Sequence, residues 1–348
     1  MHVPDGFINA PVSAVTGVVA AGAIAVSLRG ARRELDEKTA PLAGLVAAFI
    51  FAVQMLNFPV AAGTSGHLLG GALAAILVGP YTGVLCVSVV LLMQGILFAD
   101  GGLTALGVNI TDMAITTTVV AYVLFRALVK VLPRTRRSVT AASFVAALVS
   151  VPAAALVFTA IYALGGTTDV PIGKVLTAMV GVHILIGIGE AAITALTVGA
   201  VIAVRPDLVH GARGLTAPLK LRVGGELVDA PAAAPAAARA GSTRKVWGFG
   251  IVTALLLAGF VSFYASASPD GLEKVAHDKG IDTKTTQHAS SDSPLADYSV
   301  KDVGDARLAG GLAGVIGVGV TVAVGSGVFW AVRRRRTNSA PERTPETV

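Results

Sequence analysis

Long runs without charged residues alternate with short polar segments along most of this chain. Between Thr39 and Ala99 there is no Asp, Glu, Lys or Arg, and four further uncharged runs cover residues 6–28, 138–168, 246–269 and 308–332. A helix needs about 20 apolar residues to cross the hydrocarbon core of a bilayer. Backbone in lipid must also satisfy its own hydrogen bonds, which favours helices over open strands. The pattern predicts membrane-spanning helices near residues 10–28, 40–57, 67–79, 81–98, 108–129, 139–164, 175–204, 246–265 and 308–332.

Composition supports this interpretation. Charged residues make up 14% of the 348 residues, against about 25% in soluble domains. The 40 glycines suit close helix packing in a bilayer. The single cysteine, Cys86, lies in an apolar run and cannot form an intrachain disulfide. The expected fold class is an all-α polytopic membrane bundle of seven spans followed by a two-span C-terminal module.

The placement of basic residues predicts the orientation. Of the 27 Lys and Arg residues, 20 lie within residues 29–38, 130–137, 205–245 and 333–343, which all fall on one side of the membrane if the helix count is right. Cytoplasmic loops carry such an excess. We therefore expect a multi-pass protein of the cell membrane with the N-terminus outside and the C-terminus in the cytoplasm. Because the cations sit between spans, they do not indicate nucleic-acid binding.

The first residues are expected to remain on the mature protein. A signal peptide begins with a basic region, whereas Met1 to Gly6 carry no Lys or Arg. Removal of an initiator Met normally requires a small second residue, and His2 is large. A free amino group on Met1 is therefore expected at the outer face.

The chain divides into four parts. We expect a seven-span membrane domain at residues 1–222 and a cytoplasmic linker rich in Ala and Pro at residues 223–245. A two-span module at residues 246–336 and a disordered cytoplasmic tail at residues 337–348 follow. The only Gly-Lys pair, Gly173-Lys174, lacks the rest of a P-loop, so we expect this chain to bind no ATP.

Met1 and His2 form a chelating pair. The Met1 amine and the His2 backbone nitrogen close a five-membered ring on a metal, and the His2 backbone and Nδ1 nitrogens close a six-membered ring. A fourth nitrogen would complete a square, which suits Ni(II) or Cu(II) and can hold low-spin Co(II). His67, at the outer end of the third predicted span, is the natural fourth ligand. The alternative is that His2 is an exposed terminal residue and His67 caps a helix.

Other polar residues lie within or beside the predicted spans. Asn57 ends the second span, and Asp100 either orients His67 or only forms a turn before two glycines. His183 and Glu190 share one face of the seventh span. Ionisable residues within a membrane are often functional, but this pair can equally be a polar contact between helices. A membrane metalloenzyme is a more distant alternative, since no HExxH motif is present.

Several motifs resemble the CbiM/NikM family, the substrate-binding components of energy-coupling-factor cobalt and nickel transporters. They are MHVPDGF at residues 1–7, QMLNFPVAAGTSGHLLGGALAAIL at 54–77, LFADGGLTALGVN at 97–109 and HILIGIGEAAIT at 183–194. The resemblance covers residues 1–204. PDGLE at 269–273 and PLADY at 294–298 resemble the small CbiN/NikN-like auxiliary component, here fused. NITDMAI at 109–115 departs from the asparagine- and glycine-rich stretch expected there.

The resemblance implies a function and a ligand set. The metal would be held by the Met1 amine, both His2 nitrogens and the His67 side chain. Independently of the resemblance, Asn57, Asp100, His183 and Glu190 are the candidates for residues around the pocket. The partners would be a transmembrane coupling component and cytoplasmic ATPases, and the chain itself would perform no covalent chemistry. Co²⁺ is the expected transported substrate, with Ni²⁺ as the alternative. A metal sensor is a more distant alternative.

Overall fold

The computed structural model describes residues 1–36, 39–61, 63–133, 135–213, 220–223, 226–229 and 243–337. Helices dominate this part of the chain, which confirms the all-α class. The helices are α1 Ala10–Glu34, α2 Thr39–Gln54, α3 Gly71–Val78, α4 Pro80–Leu97, α5 Leu106–Asn109, α6 Thr117–Val131, α7 Arg136–Gly165, α8 Ile172–Val204, α9 Thr243–Gly259, α10 Gly271–Lys279 and α11 Ala306–Thr337. Short antiparallel pairs join β1 Phe58–Ala61 to β2 Thr64–Gly66 and β3 Lys220–Val223 to β4 Glu226–Asp229.

Seven helices in the described ranges are long and apolar enough to span a membrane. They are Ala10–Glu34, Pro80–Leu97, Leu106–Val131, Arg136–Gly165, Ile172–Val204, Arg244–Tyr264 and Ala306–Arg334. Each matches one of the spans predicted from the sequence. The second predicted span is the shorter apolar helix Thr39–Gln54. The protein is therefore a multi-pass membrane protein.

The third predicted span, residues 67–79, differs from the expectation. Only Gly71–Val78 is helical, and eight residues rise about 12 Å, well short of a hydrocarbon core of about 30 Å. Gly70 has a φ of 90°, a left-handed conformation that glycine adopts without strain and that keeps residues 67–70 out of the helix. His67 to Gly70 are nevertheless buried. Irregular backbone at this depth is tolerated because protein surrounds it.

The helix Leu106–Val131 contains a π-helical segment at Ile110–Thr116. This segment coincides with the stretch NITDMAI that departs from the family pattern. Asp112 is fully buried within it, and Asn109 directly precedes it. π-Helical turns often occur at functional sites because they shift side chains relative to a regular helix.

The C-terminal module packs directly on the first domain. Helix α11 packs mainly against α2, and α9 also contacts α2. Between α9 and α11, α10 packs against α8. Of the predicted linker, β4 and the start of α9 are described, whereas most of residues 223–245 and of the tail at 337–348 lie outside the described residues.

The N-terminal segment, residues 1–9, runs through the interior between the two modules. Met1, Val3 and Phe7 are each at most 3% exposed. The Gly102 amide donates to the Val3 carbonyl at 2.9 Å, and the Thr286 amide donates to the Asp5 carbonyl at 3.0 Å. The segment is thus held by the first domain on one side and by the C-terminal module on the other.

Candidate metal site

The first two residues and His67 meet in the interior. The Met1 amine lies 2.7 Å from His67 Nε2, and the His2 and His67 rings stack with centroids 5.1 Å apart. Asp270, from the C-terminal module, joins them, and one possible ligand atom from each of His2, His67 and Asp270 lies within 4.8 Å of the others. Within the described ranges, this cluster has the composition of a metal site. His2, His67 and Asp270 also line a cavity of about 530 Å³ that Asn57 and Asp100 border.

His67 is oriented by its own loop. Its Nδ1 lies 2.9 Å from the Leu68 carbonyl oxygen, so Nδ1 carries the proton and Nε2 presents its lone pair to the Met1 amine. The Glu190 carboxylate accepts hydrogen bonds from the backbone amides of Leu69 at 2.5 Å and Gly70 at 3.0 Å. Glu190 therefore anchors the irregular segment that carries His67, although it does not touch the cluster itself.

Asn109 holds the N-terminal segment in place. Its Oδ1 accepts from the Val3 amide at 2.7 Å, and its Nδ2 donates to the Val3 carbonyl at 3.1 Å. Asn109 is 2% exposed and Val3 is fully buried. Two residues further along, Asp5 accepts hydrogen bonds from the backbone amide and hydroxyl of Thr104 at 2.8 Å and 2.5 Å. These contacts fix the register in which Met1 and His2 reach His67.

The His2 imidazole lies between two acceptors. Its Nδ1 is 3.2 Å from Asp100 Oδ1, and its Nε2 is 3.1 Å from Gln94 Oε1. Burial lowers the pKa of His2 to about 4, against the opposing charge of Asp100. The ring is therefore neutral at pH 7 and carries one proton. The oxygen and nitrogen of the Gln94 amide can be exchanged by turning it over; Nε2 then donates to His2 Nε2, while Asp100 accepts from His2 Nδ1.

Asp270 is the N-cap residue of helix α10. Its Oδ1 accepts from the amides of Leu272 at 2.7 Å and Glu273 at 2.9 Å. Its Oδ2 accepts from the Met1 ammonium at 2.6 Å and lies 3.5 Å from His67 Nε2. Burial alone would raise the pKa of Asp270, but the adjacent Met1 ammonium holds it well below its usual range.

The remaining predicted residues have other surroundings. Asp100 contacts His2, whereas the sequence left open whether it orients His67 or only forms a turn. In the structure, His67 Nδ1 faces the Leu68 carbonyl. His183 is fully buried, and its Nδ1 lies 2.7 Å from the Met179 carbonyl oxygen. The backbone carbonyl of Asn57 accepts from the Ser266 amide of the C-terminal module at 2.7 Å.

Three residues of the site were not singled out from the sequence. They are Asp270, Asn109 and Gln94. Asn109 and Asp270 lie in quoted motifs, but their roles depend on contacts with residues 106 and 269 positions away. The pattern Asp-x-x-Glu at 270–273 does carry a local signal, since it is typical of a helix N-cap. It gives no indication that the other carboxylate oxygen faces Met1.

These features define a polytopic membrane protein with a buried site of nitrogen and carboxylate groups around its N-terminus. The family described as cobalt uptake substrate-specific transmembrane region matches residues 2–208, and the PDGLE domain matches residues 244–334. The chain therefore belongs to the cobalt uptake transmembrane family, here fused to a PDGLE domain. It is a membrane component of cobalt or nickel transport.

Individual relatives agree with this assignment. A cobalt transport protein CbiM of Sorangium cellulosum is 32% identical over 60% of this chain and 94% of its own length. A fused nickel transport protein NikMN of Rhodobacter capsulatus is 43% identical over 35% of each chain. A crystal structure of a truncated transition metal transporter superposes with a TM-score of 0.51 at 28% identity, over 58% of this chain and 99% of that one.

Proposed function

We propose that this chain is the substrate-binding subunit of an ATP-driven importer, and that Met1, His2 and His67 bind the transported ion at the outer face. The observation that carries the proposal is the 2.7 Å between the Met1 amine and His67 Nε2. With metal–nitrogen distances of about 2.0 Å, neighbouring corners of a square lie about 2.8 Å apart. The two nitrogens thus have the spacing of adjacent ligands.

The other two corners are the backbone nitrogen and Nδ1 of His2. In the chelate the His2 backbone nitrogen is bound between the Met1 amine and Nδ1, which leaves the position opposite it for His67. Nδ1 is 3.2 Å from Asp100 in this structure. Metal binding therefore requires the His2 ring to leave Asp100 and rotate toward the amine. A square of four nitrogens suits Ni(II) and low-spin Co(II).

The direction of transport and the energy source are part of the proposal. The distribution of Lys and Arg supports an N-terminus outside and a C-terminus in the cytoplasm when residues 67–79 cross the membrane despite their short helix. The ends of this segment support a crossing, because His67 contacts Met1, before helix α1, and Tyr81 contacts Glu34 at the far end of α1. Because the sequence has no P-loop, ATP hydrolysis belongs to cytoplasmic ATPase partners, coupled through a transmembrane component. In this scheme residues 1–222 bind the ion, residues 223–245 link the modules, and residues 246–336 form the auxiliary module.

Co²⁺ is the proposed substrate, and Ni²⁺ is the alternative. The names of the relatives include both cobalt and nickel transport, and both ions accept the same four nitrogens. A metalloenzyme built on His183 and Glu190 has less support, because the Glu190 carboxylate is bound to the amides of Leu69 and Gly70.

The proposal is tested by metal uptake in cells that also produce the coupling and ATPase components. His67→Ala is expected to abolish accumulation of ⁵⁷Co²⁺ or ⁶³Ni²⁺. His277→Ala is the matched control, since His277 has a highly exposed side chain and its Nδ1 faces Asp282 at the surface, away from the cluster. Uptake by His67→Ala equal to that of the unmodified protein would contradict the site.

A further inference from the structure

The C-terminal module contributes a carboxylate to the cluster. Asp270 lies 269 positions after Met1, yet its Oδ2 is 2.6 Å from the Met1 amine and 3.5 Å from His67 Nε2. Asp270 is 8% exposed. We infer that Asp270 is a fifth ligand of the transported ion, an oxygen above the plane of the four nitrogens. This inference rests on the nitrogen site proposed above.

The Asp270 carboxylate is fixed before any ion arrives. Its Oδ1 is engaged by the amides of Leu272 and Glu273, and the Glu273 side chain accepts in return from the Asp270 amide at 2.8 Å. This reciprocal capping box holds the side chain in one orientation. The second oxygen, Oδ2, is left to face the amine and His67, so a single residue serves both helix α10 and the cluster.

The backbone around Asp270 is also held against the first domain. The Ser65 amide donates to the Pro269 carbonyl at 2.8 Å, and the Ser65 hydroxyl donates to the Ser268 carbonyl at 2.7 Å. A Cβ atom on Gly271 would lie 2.8 Å from Ile186 and 2.9 Å from Val182. Only glycine lets the start of helix α10 approach α8 this closely. Because Ser65 lies two positions before His67, its contacts hold Asp270 close to His67.

The distances agree with an apical oxygen. The chelate fills three corners of the square and His67 the fourth, so a further ligand can bind only above or below the plane. With metal–oxygen and metal–nitrogen distances of about 2.0–2.2 Å, an apical oxygen lies about 3.0 Å from each nitrogen. The observed separations of 2.6 Å and 3.5 Å lie on either side of that value.

Charge also favours this arrangement. A divalent ion bound to one deprotonated backbone nitrogen and three neutral nitrogens carries one net positive charge. The Asp270 carboxylate cancels that charge. A buried charge without a partner is costly, so a neutral assembly is the more stable one in this interior. The C-terminal module then acts directly on the ion, and its docking completes the site.

Asp270→Asn separates the two roles of the side chain. Asn retains the side-chain volume and caps helices as well as Asp does, but its amide nitrogen replaces the charged oxygen that faces the ion. Asp270→Ser also caps a helix and has no carboxylate, so it provides a second, independent variant. Glu273→Gln is the control, because a Gln side-chain oxygen can still accept from the Asp270 amide in the capping box, so Asp270 Oδ2 stays in place.

The measurement is the coordination of Ni²⁺ in the purified full-length protein, by X-ray absorption and visible spectroscopy, with affinity by calorimetry. The unmodified protein and Glu273→Gln are expected to show five-coordinate, paramagnetic nickel. Asp270→Asn and Asp270→Ser are expected to show four-coordinate, planar, diamagnetic nickel, with affinity lowered about 10–100-fold.

Three results would overturn the inference. Planar, four-coordinate nickel in the unmodified protein, unchanged in Asp270→Asn, would remove Asp270 from the ligands and leave the nitrogen site intact. A planar spectrum in Glu273→Gln as well would mean that the loss of a nearby negative charge, and not of the Asp270 ligand, changes the coordination. Failure of the unmodified protein to bind either Ni²⁺ or Co²⁺ would refute the proposed function, and this inference with it.

Discussion

Asn109→Ala is expected to weaken metal binding although Asn109 contacts no ligand atom. The Asn109 side chain makes two hydrogen bonds to the Val3 backbone, at 2.7 Å to the amide and 3.1 Å to the carbonyl. Val3 directly follows His2, whose backbone nitrogen is a proposed ligand. Loss of the pair would free the first residues to move away from His67.

The size of the effect follows from the partners that remain. The Val3 carbonyl keeps its bond from the Gly102 amide at 2.9 Å, so its loss is a single hydrogen bond, about 1 kcal/mol. The Val3 amide would be left buried without an acceptor, at about 1–3 kcal/mol. The total of about 2–4 kcal/mol corresponds to roughly 30–700-fold in affinity, if the segment must be reordered when the ion binds.

Calorimetric titration of the purified protein with Ni²⁺ measures this effect. Asn9→Ala is the matched control, because Asn9 belongs to the same segment but only caps helix α1 through the Val12 amide at 3.1 Å. Asn9→Ala is expected to bind Ni²⁺ like the unmodified protein. An Asn109→Ala protein that stays folded and binds within threefold of the unmodified affinity would refute the reasoning.

Two further predictions concern the loop that carries His67 and the dependence of metal binding on pH. In Glu190→Gln, only one side-chain oxygen remains to accept from the amides of Leu69 and Gly70. Because a hydrogen bond to a charged group contributes about 1.5–3 kcal/mol, the affinity for the metal ion, measured by equilibrium dialysis, should fall about tenfold or more. Unchanged affinity would show that Glu190 does not position His67. Binding should also weaken as pH falls from 8 to 6, by at least about tenfold per pH unit, because the His2 backbone amide must release a proton when it binds the ion and the Met1 amine must be unprotonated. The His2 imidazole has a pKa of about 4 and is already neutral in this range; a pH-independent affinity would contradict the amine and amide as ligands.

The spans were predictable because hydropathy along the chain reflects the thickness of the bilayer. Helices α1, α4 and α7 lie where uncharged runs of sufficient length predicted them. The third predicted span is only partly helical, a difference that could not be foreseen because composition cannot distinguish a buried helix from buried irregular backbone. There the positive φ of Gly70 and the amide contacts of Glu190 decide the conformation. Both depend on tertiary structure.

The candidate site, like the fold, could be predicted from the sequence only in part. Met1, His2 and His67 could be proposed as partners because chelate-ring geometry is a local property of the first two residues. Asp270 could not, since only the docking of the C-terminal module brings its Oδ2 to the Met1 amine. The contact of Asp100 with His2 could not be predicted either, because it depends on the directions of both side chains.

The most direct test of the proposed chelate is the insertion of two leucines between Met1 and His2. The large second residue keeps Met1 on the chain, and the insertion separates the amine from the His2 backbone nitrogen, so the fused five- and six-membered rings cannot form. Two leucines inserted between Lys301 and Asp302, which are both exposed, are the control. In calorimetry with Ni²⁺ and Co²⁺, the first insertion is expected to abolish binding and the control to retain it. Unchanged affinity after the first insertion would contradict the assignment of the N-terminal chelate.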